Sequence, residues 1–197
     1  MTFKYLFVAS LFMGSFEPLL AHGSIENMGS FYNGLLHPFF TLHHLLLLSA
    51  FGLLLGQIDN NLRLGFFTLT IASILGLMGS SYCCIELMQE KTILSIAIVT
   101  SLIVAFKIPI NNSILFTLAF FIGIIVSLDS AQETLQGSQK LIALFGTEIG
   151  IATIVLFALA FSEYFTKKEW QKIVVRVIAS WISSSSILVL ALLFSKN

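Results

Sequence analysis

A bundle of membrane-crossing α-helices is the fold this chain predicts, and three observations predict it. Hydrophobic residues make up 57% of the 197 residues and charged ones 10%, against roughly 25% charge in an average soluble domain. The mean hydropathy is +0.96, so a water-soluble core of this composition would leave far too much apolar surface exposed. The apolar residues are also gathered into nearly uncharged stretches of about 20, the length a helix needs to cross about 30 Å of hydrocarbon.

Taken in order, residues 1–21 read as a secretory signal peptide. Lys4 stands in a short basic region, Leu6 to Met13 form the apolar core, and Leu19-Leu20-Ala21 ends in a small residue. Cleavage after Ala21 would leave 22–197 as a six-span domain with His22 at its start. An α-amine beside an imidazole is a chelator of borderline metals. The six spans are expected near 34–57, 63–82, 92–108, 112–129, 139–162 and 171–194. Short connections, such as Asp59-Asn60-Asn61 and Pro109 to Asn112, force each helix to lie beside the next. Basic residues decide the orientation. Arg63, Lys107, Lys167, Lys168, Lys172 and Arg176 fall at one set of alternate ends, and only Lys91, Lys140 and Lys196 at the other. The first set is cytoplasmic by the positive-inside rule, which puts the N-terminus outside, as a signal peptide requires. Gly52 and Gly56, Gly76 and Gly79, Gly146 and Gly150, and the run Ser183 to Ser186 read as small-residue helix contacts, which could also support an oligomer.

Three of the four histidines open the first span, in His37-Pro38 and His43-His44. A polar ring in hydrocarbon needs a partner, water or an ion, so these residues are a functional hypothesis by default. Pro38 fits a first helical turn, so His37 is expected at or just before the helix start. On a regular helix His37 and His44 share a face but stand about 10.5 Å apart along the axis, and His43 points about 100° away from His44. With metal–nitrogen bonds of about 2.1 Å, one ion cannot reach both unless the helix is distorted or other segments contribute. The available partners are His22, Asp129, Glu133, Glu148 and Glu86. Asp129 closes the fourth span, and Glu86 and Glu90 stand at the outer end of the second, where acids would concentrate cations or simply face water. Glu148 lies inside an apolar segment and suits a ligand, a proton relay or an interhelical hydrogen bond as the neutral acid.

Other classes of function find no support. The net charge is zero and the basic residues are dispersed, so nucleic acid is not an expected partner. The adjacent Cys83 and Cys84 make neither a good disulfide nor a zinc site by themselves. No Gly-rich phosphate loop, no Gly-x-Ser-x-Gly and no oxyanion feature accompanies the histidines, so the chain does not read as an enzyme.

The order Ala21-His22, Phe31, Gly34, His37-Pro38, His44 and Gly52 resembles the HupE/UreJ family of nickel/cobalt permeases. Two departures stand out: Thr41-Leu42-His43-His44 replaces Gly-x-Asp-His, and Gly123 to Ser130 replaces a motif rich in His and Gly. The resemblance implies a secondary permease in the bacterial inner membrane that moves Ni2+ or Co2+ as cargo, with no permanently bound cofactor. It places His37 and His44 at the metal. His43, His22, Asp129 and Glu148 complete the expected metal set, and the lipid bilayer is the other partner. The alternative is a non-transporting accessory or assembly protein that retains the scaffold.

Overall fold

The computed structural model describes residues 29–58, 62–79, 89–130, 137–165 and 169–195. Among them all regular structure is helical: α1 (Ser30–Phe40), α2 (Leu42–Gln57), α3 (Leu62–Gly79), α4 (Gln89–Phe106), α5 (Asn112–Asp129), α6 (Gly137–Phe165) and α7 (Glu169–Ser195). The signal-peptide expectation, His22, Cys83, Cys84, Glu86 and Glu133 lie outside the described residues.

The chain is an all-α membrane protein. Helices α5, α6 and the stretch Trp170–Ser195 of α7 are long and apolar enough to cross a bilayer, and α1 with α2 would together make a fourth, broken span. The apolar run of α3, Leu64–Gly79, is shorter. At about 1.5 Å per residue it reaches about 24 Å, less than the hydrocarbon core.

The expected continuous first span is instead two helices whose axes bend by 73°. Thr41 sits between them with extended backbone, φ −86° and ψ 102°. Its N–H still bonds the His37 carbonyl at 3.0 Å, and its own carbonyl accepts from Leu45 N–H at 3.0 Å. One residue therefore closes the first helix and opens the second. Thr41 is β-branched, so an extended backbone suits it. Pro38 does not begin a helix either. It lies inside α1, whose first residue is Ser30. Near the C-terminal end, the hydrogen bond it removes costs little of the helix.

Helix α2 occupies the centre. Every residue from Ala50 to Gly56 is buried, two turns in a row and so on all sides of the helix, as expected of an element apolar all round. Lipid tails are as apolar as leucine, so close packing rather than the hydrophobic effect must hold such helices together. The glycines supply it. A β-carbon at Gly52 would stand 2.6 Å from Ala158 Cβ and 2.7 Å from the Val155 carbonyl, which seats α6 along α2. Gly34 meets the Ala143 backbone, Gly146 the Phe31 carbonyl and Gly150 the Leu35 carbonyl, which seats α6 along α1 too. Gly76 packs on Ile124 and Ser127, and Gly123 on Leu69 and Ala72, so α3 and α5 form a close pair. A β-carbon at Gly79 would meet nothing within 4 Å among the described residues. In the serine run, Ser183 and Ser186 are buried while Ser184 and Ser185 are exposed. At one end of the bundle, Gln57 Nε2 donates to the Val104 carbonyl at 3.2 Å and Arg176 Nε to the Ala105 carbonyl at 2.7 Å. The histidines lie at the other end.

Candidate metal centre

Three helix ends converge there: the first turn of α2, the last residue of α5 and the first turn of α4. His43 and His44 come from α2, Asp129 from α5 and Glu90 from α4. His43 Nε2 is 2.8 Å from Asp129 Oδ2, and His44 Nε2 is 2.9 Å from the same oxygen. One ligand atom from each of the three residues fits within 4.8 Å of the others. Two ligands at right angles about an ion, each bonded at about 2.1 Å, are themselves about 3.0 Å apart. The observed nitrogen–oxygen separations, 2.8 and 2.9 Å, are close to that value as well as to that of a hydrogen bond. The positive end of α2 also favours the carboxylate placed against it.

Helix phase alone set His43 and His44 on different faces, and the structure corrects that. Their rings stand 4.6 Å apart, centre to centre, and both reach Asp129. Adjacent residues in a first turn can do so when the acceptor lies off the end of the helix rather than beside it. The break at Thr41 corrects the second geometric expectation. It folds α1 back so that the His37 and His44 rings are 5.5 Å apart, T-shaped, instead of separated by two turns.

The two imidazoles differ in how they are bonded. His43 makes an aligned hydrogen bond to Asp129, with its Nδ1 3.7 Å from Glu90 Oε1. His44 is fully buried, approaches Asp129 off the hydrogen-bond line, and neither ring nitrogen has a hydrogen-bond partner among the described residues. A buried polar ring left so needs an explanation. Pre-set metal ligation supplies one, because a lone pair aimed at an ion is not aimed along a hydrogen bond.

Exposure falls inward through the centre. Side-chain exposure is 44% at Glu90, 20% at Asp129, 13% at His43 and 0% at His44. The acids face the aqueous end and the nitrogen ligands lie deeper. An acid outside and a softer imidazole within are the order that collects a cation first and then selects among cations.

Glu148 is not part of this cluster. Ser73 Oγ of α3 donates to its carboxylate, at 2.8 and 2.7 Å from the two oxygens. From the sequence Glu90 reads either as an acid that concentrates cations or as one that faces water, and the structure sets it 3.7 Å from His43 Nδ1. Its position at the head of an apolar span, beside Lys91, is also that of ordinary boundary charge, so only the packing of α4 on α2 reveals it.

The family model for the HupE / UreJ protein matches residues 10–189. The chain belongs to the HupE/UreJ family. No curated protein and no solved structure gives a significant match. The match takes in every described helix except the last six residues of α7, so the broken first span and the His–His–Asp cluster are features of a HupE/UreJ chain and not of a local motif set in an unrelated scaffold. It agrees with a role connected with nickel or cobalt transport.

Proposed function

We propose that this chain is a secondary-type permease for a divalent transition metal, nickel or cobalt, and that His43, His44 and Asp129 form its receiving site with His37 alongside. The observation that carries this reading is His44, a buried imidazole whose nitrogens have no aligned hydrogen bond among the described residues and whose Nε2 is 2.9 Å from the Asp129 carboxylate. Two imidazoles and a carboxylate suit Ni2+ and Co2+, which take mixed nitrogen and oxygen ligands. The carboxylate offsets part of the ion's charge, which matters most where water is scarce. With the basic ends inside, as the positive-inside rule assigns them, the site opens to the outer face of the membrane, and the membrane potential favours inward passage. Two charges moving down 100 mV gain about 4.6 kcal/mol.

Uptake of radioactive Ni2+ and Co2+ by cells expressing the intact chain tests the reading, against His37→Ala and His44→Ala at matched membrane levels. Wild-type cells accumulate metal, and both variants fall to the level of cells lacking the protein. Equal accumulation by all three removes these histidines from any transport role.

A further inference from the structure

Glu148, half-buried, stands about 16 Å along α6 from Gly137 and outside the His43–His44–Asp129 group. Among the described residues it makes no ion pair, and the partner of its carboxylate is a single hydroxyl, Ser73 Oγ. That hydroxyl also lies 2.9 Å from the Thr70 carbonyl. A serine hydroxyl carries one proton and has two acceptor lone pairs. Given to the carboxylate, the proton satisfies Glu148 as the anion. Turned to the Thr70 carbonyl, it leaves the serine oxygen as an acceptor, to which Glu148 can donate as the neutral acid. Both protonation states are thus bonded at the same heavy-atom positions, and one hydroxyl rotation separates them. Separations of 2.7 and 2.8 Å are those of an O–H···O hydrogen bond, which a shared proton fits.

The pair also sits where it can act on the metal centre. Ser73 belongs to α3 and Asp129 to α5, and these two helices pack together through Gly76 and Gly123. Asp129 joins this unit to α2 at the aqueous end, and Ser73 joins it to α6 at mid-depth. Whatever shifts the unit disturbs both contacts. Of the titratable groups on helices packed against α6, His37 of α1 and His43 and His44 of α2 belong to the metal centre. The stretch Leu64–Gly79 of α3 has none, and α7 brings Lys172 and Arg176 near its start, where Arg176 bonds Ala105.

We propose that Glu148 and Ser73 form a proton-exchange site, loaded and emptied once per metal ion, that couples metal passage to the proton gradient through the α3–α5 unit. This rests on the permease reading above. In the loading step an O–H bond forms on a Glu148 oxygen as one breaks in a hydronium ion of the adjoining aqueous phase, and the reverse step returns the proton to water.

The test uses purified full-length protein in liposomes with a pH-sensitive dye inside. An imposed gradient of about one pH unit should sustain about tenfold Ni2+ accumulation by the wild type, since each proton coupled is worth a factor of ten. Metal movement should change the luminal pH. Glu148→Gln loses both effects but retains one-for-one Ni2+ exchange across the vesicle wall and wild-type Ni2+ affinity in detergent. Ser73→Ala keeps exchange and shifts the pH midpoint of accumulation, while Ser73→Thr restores it. The proposal is overturned if Glu148→Gln accumulates Ni2+ under a pH gradient like the wild type, or if a sodium gradient drives accumulation and a proton gradient does not. A wild type that exchanges no Ni2+ at all overturns the permease reading together with this one, so the two failures are distinguishable.

Discussion

The aqueous-end cluster and the mid-depth Glu148 are both polar sites in an apolar bundle, yet they are built in opposite ways. The cluster gathers two imidazoles, one carboxylate and a half-exposed acid from three helices, and its innermost ring has no aligned hydrogen bond among the described residues. Glu148 has one neutral partner and is hydrogen-bonded to it through both oxygens. Ligands left under-bonded and graded in exposure suit an ion that arrives and leaves. An acid that is satisfied in either protonation state suits a proton. On the two proposals made above, the contrast separates what is carried from what drives it.

Removing a ligand should break the contrast most strongly. Asp129→Asn and His44→Ala are expected to weaken Ni2+ binding by about 100-fold or more, since changes even to outer-shell partners cost about 10- to 100-fold. Competition with a chromophoric chelator in detergent measures this, and Glu148→Gln in the same assay should stay at wild-type affinity. Acid should act on the cluster in one direction. Imidazole and carboxylate bind metal only when deprotonated, so Ni2+ affinity falls as pH falls. A chelator titration repeated from neutral to mildly acid buffer checks it, and affinity that rises with acid would contradict the ligand set.

Packing offers a third comparison. Gly150→Val would drive side-chain atoms into the Leu35 carbonyl and the Pro38 ring, displacing α1 and with it His37. A loss of about 1–3 kcal/mol is expected from overpacking, read as a lower Tm. Gly79→Ala, with no described residue within 4 Å of the added carbon, should stay within about 0.5 kcal/mol. The smallest effect belongs to Glu90→Gln. Its carboxylate is 3.7 Å from His43 and nearly half exposed, so about a twofold loss of Ni2+ affinity, diminishing with added salt, is expected from a screened surface charge.

Much of this was legible in the sequence. Composition and span length give an all-helical membrane protein, and His37, His44 and Asp129 were singled out because polar groups in apolar segments stand out. Two things were not legible. The break at Thr41 has no Gly beside it and falls three residues after the only nearby proline, so a regular helix was the natural reading. Every helical-phase argument about His37, His43 and His44 inherited that regularity. The cluster is an end-on arrangement rather than a side-by-side one. Periodicity describes the faces of a helix, and it is silent about what a neighbouring helix brings to its tip. Glu148 was recognised as unusual but could not be assigned, because nothing in the sequence pairs residue 73 with residue 148.

The central claim is that His43, His44 and Asp129 together bind the metal. X-ray absorption at the nickel edge, on purified protein loaded with one equivalent of Ni2+, tests it most directly. The account predicts scattering from two or more imidazoles together with oxygen ligands, and loss of imidazole scattering in the His43→Ala, His44→Ala double variant. An all-oxygen shell in the wild type, or a spectrum unchanged in the double variant, would contradict it.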